Sequence, residues 1–451
     1  MIIPGSRLLF WTAAVVLPFS VVGALAPAFL VLSLAVIGAF VTLVLLDAVL
    51  APRNLAGIDV EIPGVTRLFK DREGAIDLHI TNDRMKVRRV RVGLAFPQEI
   101  HVEDDDLFAV LPAESRLSRL TWPCTPSKRG NYGLDSCYLE GASPLGFWLY
   151  RTAVPVEAEL RVYPDLLRER KNLAALFMNR GGLGIHSQRL VGKGREFEQL
   201  REYIPGDSYD DIHWKATAKR GRPVTKVFQI ERTQEVYLVI DASRLSARVA
   251  DTRSNGTNPE QGVTTILERF VTAALIVGLA AERQGDLFGI LAFGDKVMRF
   301  VRAKNGRAHY GTCRDALYTL QPHVVAPDFD ELCSFIRVKL RRRALLVFLT
   351  SLDDPVVAES FVRNMDLIRR HHLVLVNMLE PDRARPLFDA PDVAAVDDIY
   401  GKLGGHILWH SMRELEKVLQ RHGVSFSLLD NEKMCAQLVS QYVSVKQRQI
   451  L

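Results

Sequence analysis

Oxygen-bearing side chains collect where apolar runs of this chain stop. Asp241-Ala242-Ser243 follows the run 236–240, and Thr350-Ser351-Leu352-Asp353-Asp354 follows the run 344–349. Between them Gly311-Thr312 is placed to open a helix. Carboxylates and hydroxyls that converge suit Mg²⁺ or another hard divalent cation. The competing reading is that Asp241 accepts hydrogen bonds from loop amides at a strand end. Soft-metal chemistry has no support: the five cysteines form no C-x-x-C pair and read as reduced, mostly buried thiols.

A second group lies in residues 195–221, where acidic and basic side chains alternate around Ile204-Pro205-Gly206-Asp207. Glu196, Glu198, Asp207 and His213 have the chemistry of acids and bases. No nucleophile motif accompanies them, and Gly192-Lys193-Gly194 lacks the register of a phosphate loop, so no catalytic residue is assigned. The mixed signs argue against a nucleic-acid strip, which needs one sign to displace counterions. Arg201, Glu202, Asp207 and Lys215 are able to pair, with Phe197, Leu200, Tyr203 and Trp214 expected to bury beneath them. Such a rigid, charge-patterned knob serves structure, a partner, or both, because paired charges set register and exclude wrong partners. The residues singled out are Glu196, Phe197, Arg201, Tyr203, Gly206, Asp207, His213, Trp214 and Lys215.

At 451 residues, 48% hydrophobic and 24% charged, the chain is expected to hold two soluble domains and something more. No charged side chain occurs between Arg7 and Asp47. A spanning helix needs about 20 apolar residues, so 8–25 and 28–46 fit two transmembrane helices turning at Ala26-Pro27. A cleaved signal peptide, with Ala24-Leu25-Ala26 as its site, fits less well because a second apolar run follows at once. Arg7 and Arg53 flank an uncharged turn, which places both ends, and everything after them, in the cytoplasm. The net charge of +6 is modest and fits an anionic inner leaflet. The basic run 337–343 reads as a solvated helix end.

The expected organisation is a hairpin over 1–54, a β-sandwich over 55–165, a linker with the charged motif over 166–234, and an α/β domain over 235–451. Alternation such as Val90, Val92 and Leu94 against Arg89, Arg91 and Gly93 has the period of a strand with one wet face. Six or so such strands suggest a sandwich, with 129–133 and 141–146 as hairpin loops. Past Glu235, continuous apolar strands separated by helices indicate a buried parallel sheet, doubly wound, whose sites form at the carboxyl ends of its strands. The fold class is therefore multidomain.

The α/β segment resembles the von Willebrand factor type A fold, whose metal-ion-dependent adhesion site uses D-x-S-x-S, a threonine after glycine, and a late aspartate. Asp241 and Ser243 match the first element and Thr312 the second; Leu245 stands where the second serine belongs, and Thr350-Ser351 replaces Thr-Asp, leaving Asp353 as a displaced substitute. The implied metal set is Asp241, Ser243, Thr312 and Asp353, a degraded site for weakly bound Mg²⁺ or another divalent cation. Nearly the whole chain resembles the domain of unknown function 58 family, on Gly194-Arg195-Glu196-Phe197, Leu200-Arg201-Glu202-Tyr203, Pro205-Gly206-Asp207 and Ile212-His213-Trp214-Lys215. Asp210 and His213 depart from its commonest residues. The resemblance implies a scaffold or adaptor anchored in a bacterial inner membrane that works with a MoxR-type AAA+ ATPase in assembling or activating client proteins, with no enzymatic activity established for the family as a whole. A metal-dependent hydrolase centred on Asp241 is the alternative.

Overall fold

The structure, a computed structural model, describes residues 1–83, 89–112, 115–167, 169, 191–204, 209–229, 235–250, 264–381, 384–387 and 396–447. They divide into two compact units, Met1–Asp165 and the described residues from Leu166 onward.

The first unit opens with β1 (Ile2–Pro4), α1 (Ser6–Leu25) and α2 (Leu30–Leu55). Ten strands in all belong to this unit, the others being β2 (Ile58–Glu61), β3 (Val65–Phe69), β4 (Gly74–Asn82), β5 (Arg89–Leu94), β6 (Ile100–His101), β7 (Asp106–Val110), β8 (Leu117–Pro126), β9 (Gly130–Ala142) and β10 (Trp148–Tyr163). One sheet runs β1-β10-β9-β5-β7, with β3 also on β10; the other runs β2-β4-β8-β6. Ile76, Leu78 and Ile80 of β4 meet Val90 and Val92 of β5 and Leu160 and Val162 of β10 in one core, the inward half of the alternation. Trp122 is fully buried there. Residues 129–133 are not a hairpin loop. Gly130–Tyr132 already pair with β10, and the strand starts at Gly130, whose φ of 153° places it at the edge of the left-handed region. The loop expected at 141–146 lies at 143–147, where it connects β9 to β10, because Gly141 and Ala142 still pair with Tyr150 and Leu149.

Both N-terminal helices are long and apolar enough to cross a membrane, which suggests membrane anchoring. The second helix runs nine residues past the expected end, to Leu55 instead of 46. Tertiary packing explains the extension: Ala51 and Leu55 are buried, Leu55 in the sandwich core, and Asp47 is hydrogen-bonded by the β9–β10 loop. On the other side of the hairpin, β1 pairs antiparallel with β10 from Ile2↔Tyr150 to Pro4↔Trp148. Both ends of the hairpin therefore meet the same sheet.

All five cysteines are free and buried. Burial pushes the Cys124 thiol up to about 11 and that of Cys137 to about 12, so neither reports which side of a membrane the sandwich faces. A cysteine placed at exposed Tyr138 does. With the sandwich in the cytoplasm, Tyr138→Cys should escape a membrane-impermeant maleimide in intact cells and react after permeabilisation; labelling of intact cells reverses the orientation.

The second unit begins with the hairpin β11 (Val191–Glu202) and β12 (Val224–Gln229), which enclose the short helix α3 (Trp214–Arg220). Its sheet contains β13 (Glu235–Asp241), β14 (Leu287–Phe293), β15 (Val297–Lys304), β16 (Ala344–Leu349), β17 (Leu373–Leu379) and β18 (Ser425–Leu429) in the order β15-β14-β13-β16-β17-β18, parallel except for β15. One face carries α4 (Ile266–Arg283) and α5 (Arg307–Leu317). The other carries α6 (Phe329–Lys339), α7 (Pro355–Met365) and α8 (Val396–Arg421), while α9 (Met434–Gln447) returns to the first. Coverage on both faces is why these strands read as unbroken apolar runs. The connection from β13 goes to β14 on one side, and β16 lies on the other. The crevice at the carboxyl ends of β13 and β16 is thus the switch point where such sheets place sites.

Candidate functional site

Asp241 closes β13 at that crevice and is buried. Its Oδ1 accepts the Ser243 N–H at 2.8 Å and its Oδ2 the Thr350 hydroxyl at 2.6 Å. Burial pushes this carboxyl above the usual carboxylate range, against the pull of the Thr350 and Ser243 bonds and of the Arg248 charge. Ser243 caps a 3-10 turn over Arg244–Ala247 by accepting the Leu245 N–H. Leu245 is itself buried, so an apolar side chain fills the place of a second hydroxyl.

Asp353 does not swing toward Asp241. Arg248 grips it in a bidentate pair, Nη1 to Oδ2 at 2.5 Å and Nη2 to Oδ1 at 2.9 Å, while its Nε donates to the Leu245 carbonyl at 3.0 Å. Burial raises the Asp353 carboxyl, yet the hydrogen bond and charge of Arg248 outweigh it and leave it below its ordinary value. Asp354 caps α7 through the Val356 N–H. Backbone from the α5–α6 connection lies over the strand ends: the His323 N–H reaches the Ala242 carbonyl at 2.8 Å and the Arg244 N–H the Val325 carbonyl at 3.0 Å.

Thr312 is in the middle of α5, not at a helix opening; it is exposed and donates to the Ala308 carbonyl at 3.4 Å. That helix starts against the opposite end of the sheet, where His309 Nε2 lies 2.7 Å from the carbonyl oxygen of Phe288 near the start of β14. The structure therefore gathers Asp241, Ser243 and Thr350, binds Asp353 to Arg248, and leaves Thr312 apart. A hard cation wants six or more oxygens backed by carboxylate charge. Here the oxygens of Asp241 accept internal donors, those of Asp353 accept a guanidinium, and Arg248 already supplies the positive charge. The set does not fit a divalent cation, and no group of three or more His, Cys, Asp or Glu able to hold a metal occurs among the described residues. Arg248 had no signal in the sequence; it pairs with a residue 105 positions away.

The charged motif is built on the β11–β12 hairpin, where Arg201 pairs Thr225 and Glu202 pairs Val224 in register. His213 docks α3 by donating its N–H to the Val224 carbonyl at 2.8 Å, and its Nδ1 accepts the Ala216 N–H at 3.0 Å as the helix cap. This role fixes Nδ1 as an acceptor and accounts for His213 without catalysis. Gly221, at φ 67°, closes the helix in the left-handed conformation. Tyr203 stacks on Tyr209 with ring centroids 5.8 Å apart, and Glu202 pairs with Arg222 at 2.6 Å. Gly206 and Asp207 lie outside the described residues, as do the side chains of Glu196 and Phe197.

Trp214 corrects the expectation of a buried knob. It is 70% exposed, with Lys215, Lys219 and Arg220 exposed beside it. The physical reason is local: among the described residues, a seven-residue helix against a two-stranded sheet has no second layer to cover its first residue, and Ile212 and Val224 fill the small interior. The sequence pattern fits either face of so short a helix.

Similar proteins add little chemistry. Uncharacterized proteins of Mycobacterium bovis and Mycobacterium tuberculosis are each 26% identical over 219 residues, 48% of this chain. The chain covers 64% of those relatives' length. Among solved structures, the PilB minor pilin from Streptococcus sanguinis aligns over 90% of this chain and 96% of its own with a TM-score of 0.34 and 9% identity. An uncharacterized membrane spanning protein from Vibrio fischeri aligns over 47% of this chain and 97% of its own with a TM-score of 0.18 and 15% identity. Residues 199–397, from the end of β11 to the start of α8, match the family described as Protein of unknown function DUF58.

Proposed function

We propose that this chain is a bacterial scaffold or adaptor, held in the inner membrane with its soluble domains facing the cytoplasm. Its α/β domain, of the von Willebrand factor type A kind, engages a MoxR-type AAA+ ATPase and client proteins in assembling or activating complexes. The observation that supports this reading is the display of Trp214 to solvent on a rigid, doubly capped helix inside the family-matching segment. Tryptophan, tyrosine and arginine dominate binding energy at protein interfaces, and aromatic rings lose little rotamer freedom on docking. The internal satisfaction of Asp241 and the Arg248–Asp353 clamp suit a shape-setting strand end better than a hydrolytic centre. The hydrolase alternative gains nothing from these contacts.

The test is affinity capture of the full chain from native membranes, with and without ATP, read by mass spectrometry. A AAA+ ATPase should be recovered with the parent and lost with Trp214→Ala, while the melting of the purified variant stays within about 0.5 kcal/mol of the parent, as for an exposed side chain. Undiminished capture by the variant, or no ATPase with the parent, defeats the proposal. A large loss of stability would instead return Trp214 to a structural role.

A further inference from the structure

We infer that the loop joining β9 and β10, residues 143–147, is itself immersed in the lipid bilayer, so that the sandwich is a membrane-surface domain and not a body on a tether. This rests on α1 and α2 crossing the membrane.

Depth along α2 carries the inference. The helix has 26 residues, whereas a span needs about 20, so roughly 6 residues, or about 9 Å at 1.5 Å per residue, are to spare. Asp47 lies eight residues before Leu55, about 12 Å inside the helix end, and the loop is bound at that level and beyond it. The Asp47 carboxylate accepts the N–H groups of Leu145 at 3.0 Å and Phe147 at 3.2 Å, and the hydroxyl of Ser143 at 2.5 Å. The Trp148 indole donates to the Val44 carbonyl at 2.9 Å, and the Phe147 ring packs edge-on against Phe40, one turn deeper still, at 6.0 Å.

The lipid-facing side of the same stretch is apolar and open. Leu45, Leu46 and Val49 flank Asp47, and Val49 is 68% exposed. Were the loop in water, these side chains would stand in water with it, at about 25 cal/mol for each Å² of apolar surface. The loop's own sequence, Ser143-Pro144-Leu145-Gly146-Phe147, carries no charge, and Leu145 is 47% exposed beside α2. An acid at membrane depth is costly unless it is paired or hydrogen-bonded; the loop supplies three donors, which accounts for an aspartate in an otherwise apolar run. Arg7 lies over Gly146, its Nη1 3.1 Å from where a Cβ would stand, so the first turn of α1 also packs on this loop. The occupant of this surface is lipid, because exposed Leu145 is tied through its N–H to Asp47, whose neighbours Leu45, Leu46 and Val49 on α2 are exposed and apolar as well.

Spin labels on the full chain in nanodiscs test this, with Leu145→Cys compared to Leu32→Cys in the first turn of α2 and Phe108→Cys on the outer face of the sandwich; the five buried native cysteines need no removal. Leu145→Cys should share with Leu32→Cys an oxygen-to-nickel-chelate accessibility ratio several-fold above that of Phe108→Cys. In an Asp47→Leu background the ratio at position 145 should fall toward that of position 108, with position 32 unchanged. A label at 145 that behaves like the one at 108 in the parent overturns the inference while anchoring stands. A label shielded from both quenchers points to a protein cover and also overturns it. Water-like values at 32 and 145 together overturn the anchoring on which it rests.

Discussion

Truncation of Phe361 to alanine should lower the unfolding free energy of the α/β unit by about 3 to 5 kcal/mol, the range for removing a buried aromatic ring. Phe361 is fully buried on α7. Its ring meets Phe329 of α6 edge-on at 5.0 Å and Phe348 of β16 at 5.6 Å, and Phe329 in turn meets Phe293 of β14 at 5.8 Å. Edge-to-face pairs add about 0.5 to 1.5 kcal/mol each beyond the area they bury. The ring therefore joins two helices to two strands immediately below the crevice of Asp241. Phe361→Leu keeps most of the volume and should lose less than half as much. Denaturant melts of the detergent-solubilised chain give both values; an alanine variant that melts like the parent shows that α7 does not pack on the sheet as described.

The second large effect concerns Asp241 and depends on pH. Its folded-state carboxyl lies above the ordinary value of 3.8 because burial disfavours the charge. A raised carboxyl contributes stability that is fully present below the unfolded value and is lost as pH rises through the folded one. The parent therefore loses stability as pH rises above the ordinary carboxyl range, and acid restores it. Asp241→Asn keeps an oxygen for the Ser243 N–H, offers an amide to the Thr350 oxygen and has nothing to ionise. It should be more stable than the parent at neutral pH, with the difference shrinking as pH falls. Asp241→Ala leaves the Ser243 N–H and the Thr350 hydroxyl without acceptors and should be less stable than the asparagine variant by about 1 to 3 kcal/mol. Calorimetric titration with Mg²⁺ and Mn²⁺ completes the test. The parent should bind weakly or not at all, and Ser351→Asp should gain affinity by restoring the missing carboxylate; micromolar binding in the parent that vanishes in Asp241→Ala sinks the account.

Much of the fold was readable because burial imprints a period on the chain. Strands β13, β14 and β16 are covered on both faces and announce themselves as continuous apolar runs, and α4 as a stripe at helical spacing. Elements whose shape depends on a neighbour were missed or cut short. The three residues of β1 have no period, and exist as a strand because β10 lies beside them. The last nine residues of α2 include charged side chains, and remain helical because Ala51 and Leu55 fit the sandwich. The Arg129–Gly133 stretch looked like a turn by its glycines, but the ladder to β10 overrides that preference.

By itself, the sequence determined where chain leaves water: the two apolar helices, the alternating strands of the sandwich, the buried parallel sheet, and the placing of Asp241, Ser243 and Thr350 at its strand ends. These follow from local periodicity, since a residue's neighbours along an element share its faces. Only the tertiary structure decided which charges meet and which side chains stay wet. Arg248 takes Asp353, the β9–β10 loop takes Asp47, Thr312 is turned away in mid-helix, and Trp214 stands in solvent. Those outcomes depend on pairings across tens to hundreds of residues, for which the chain carries no local period.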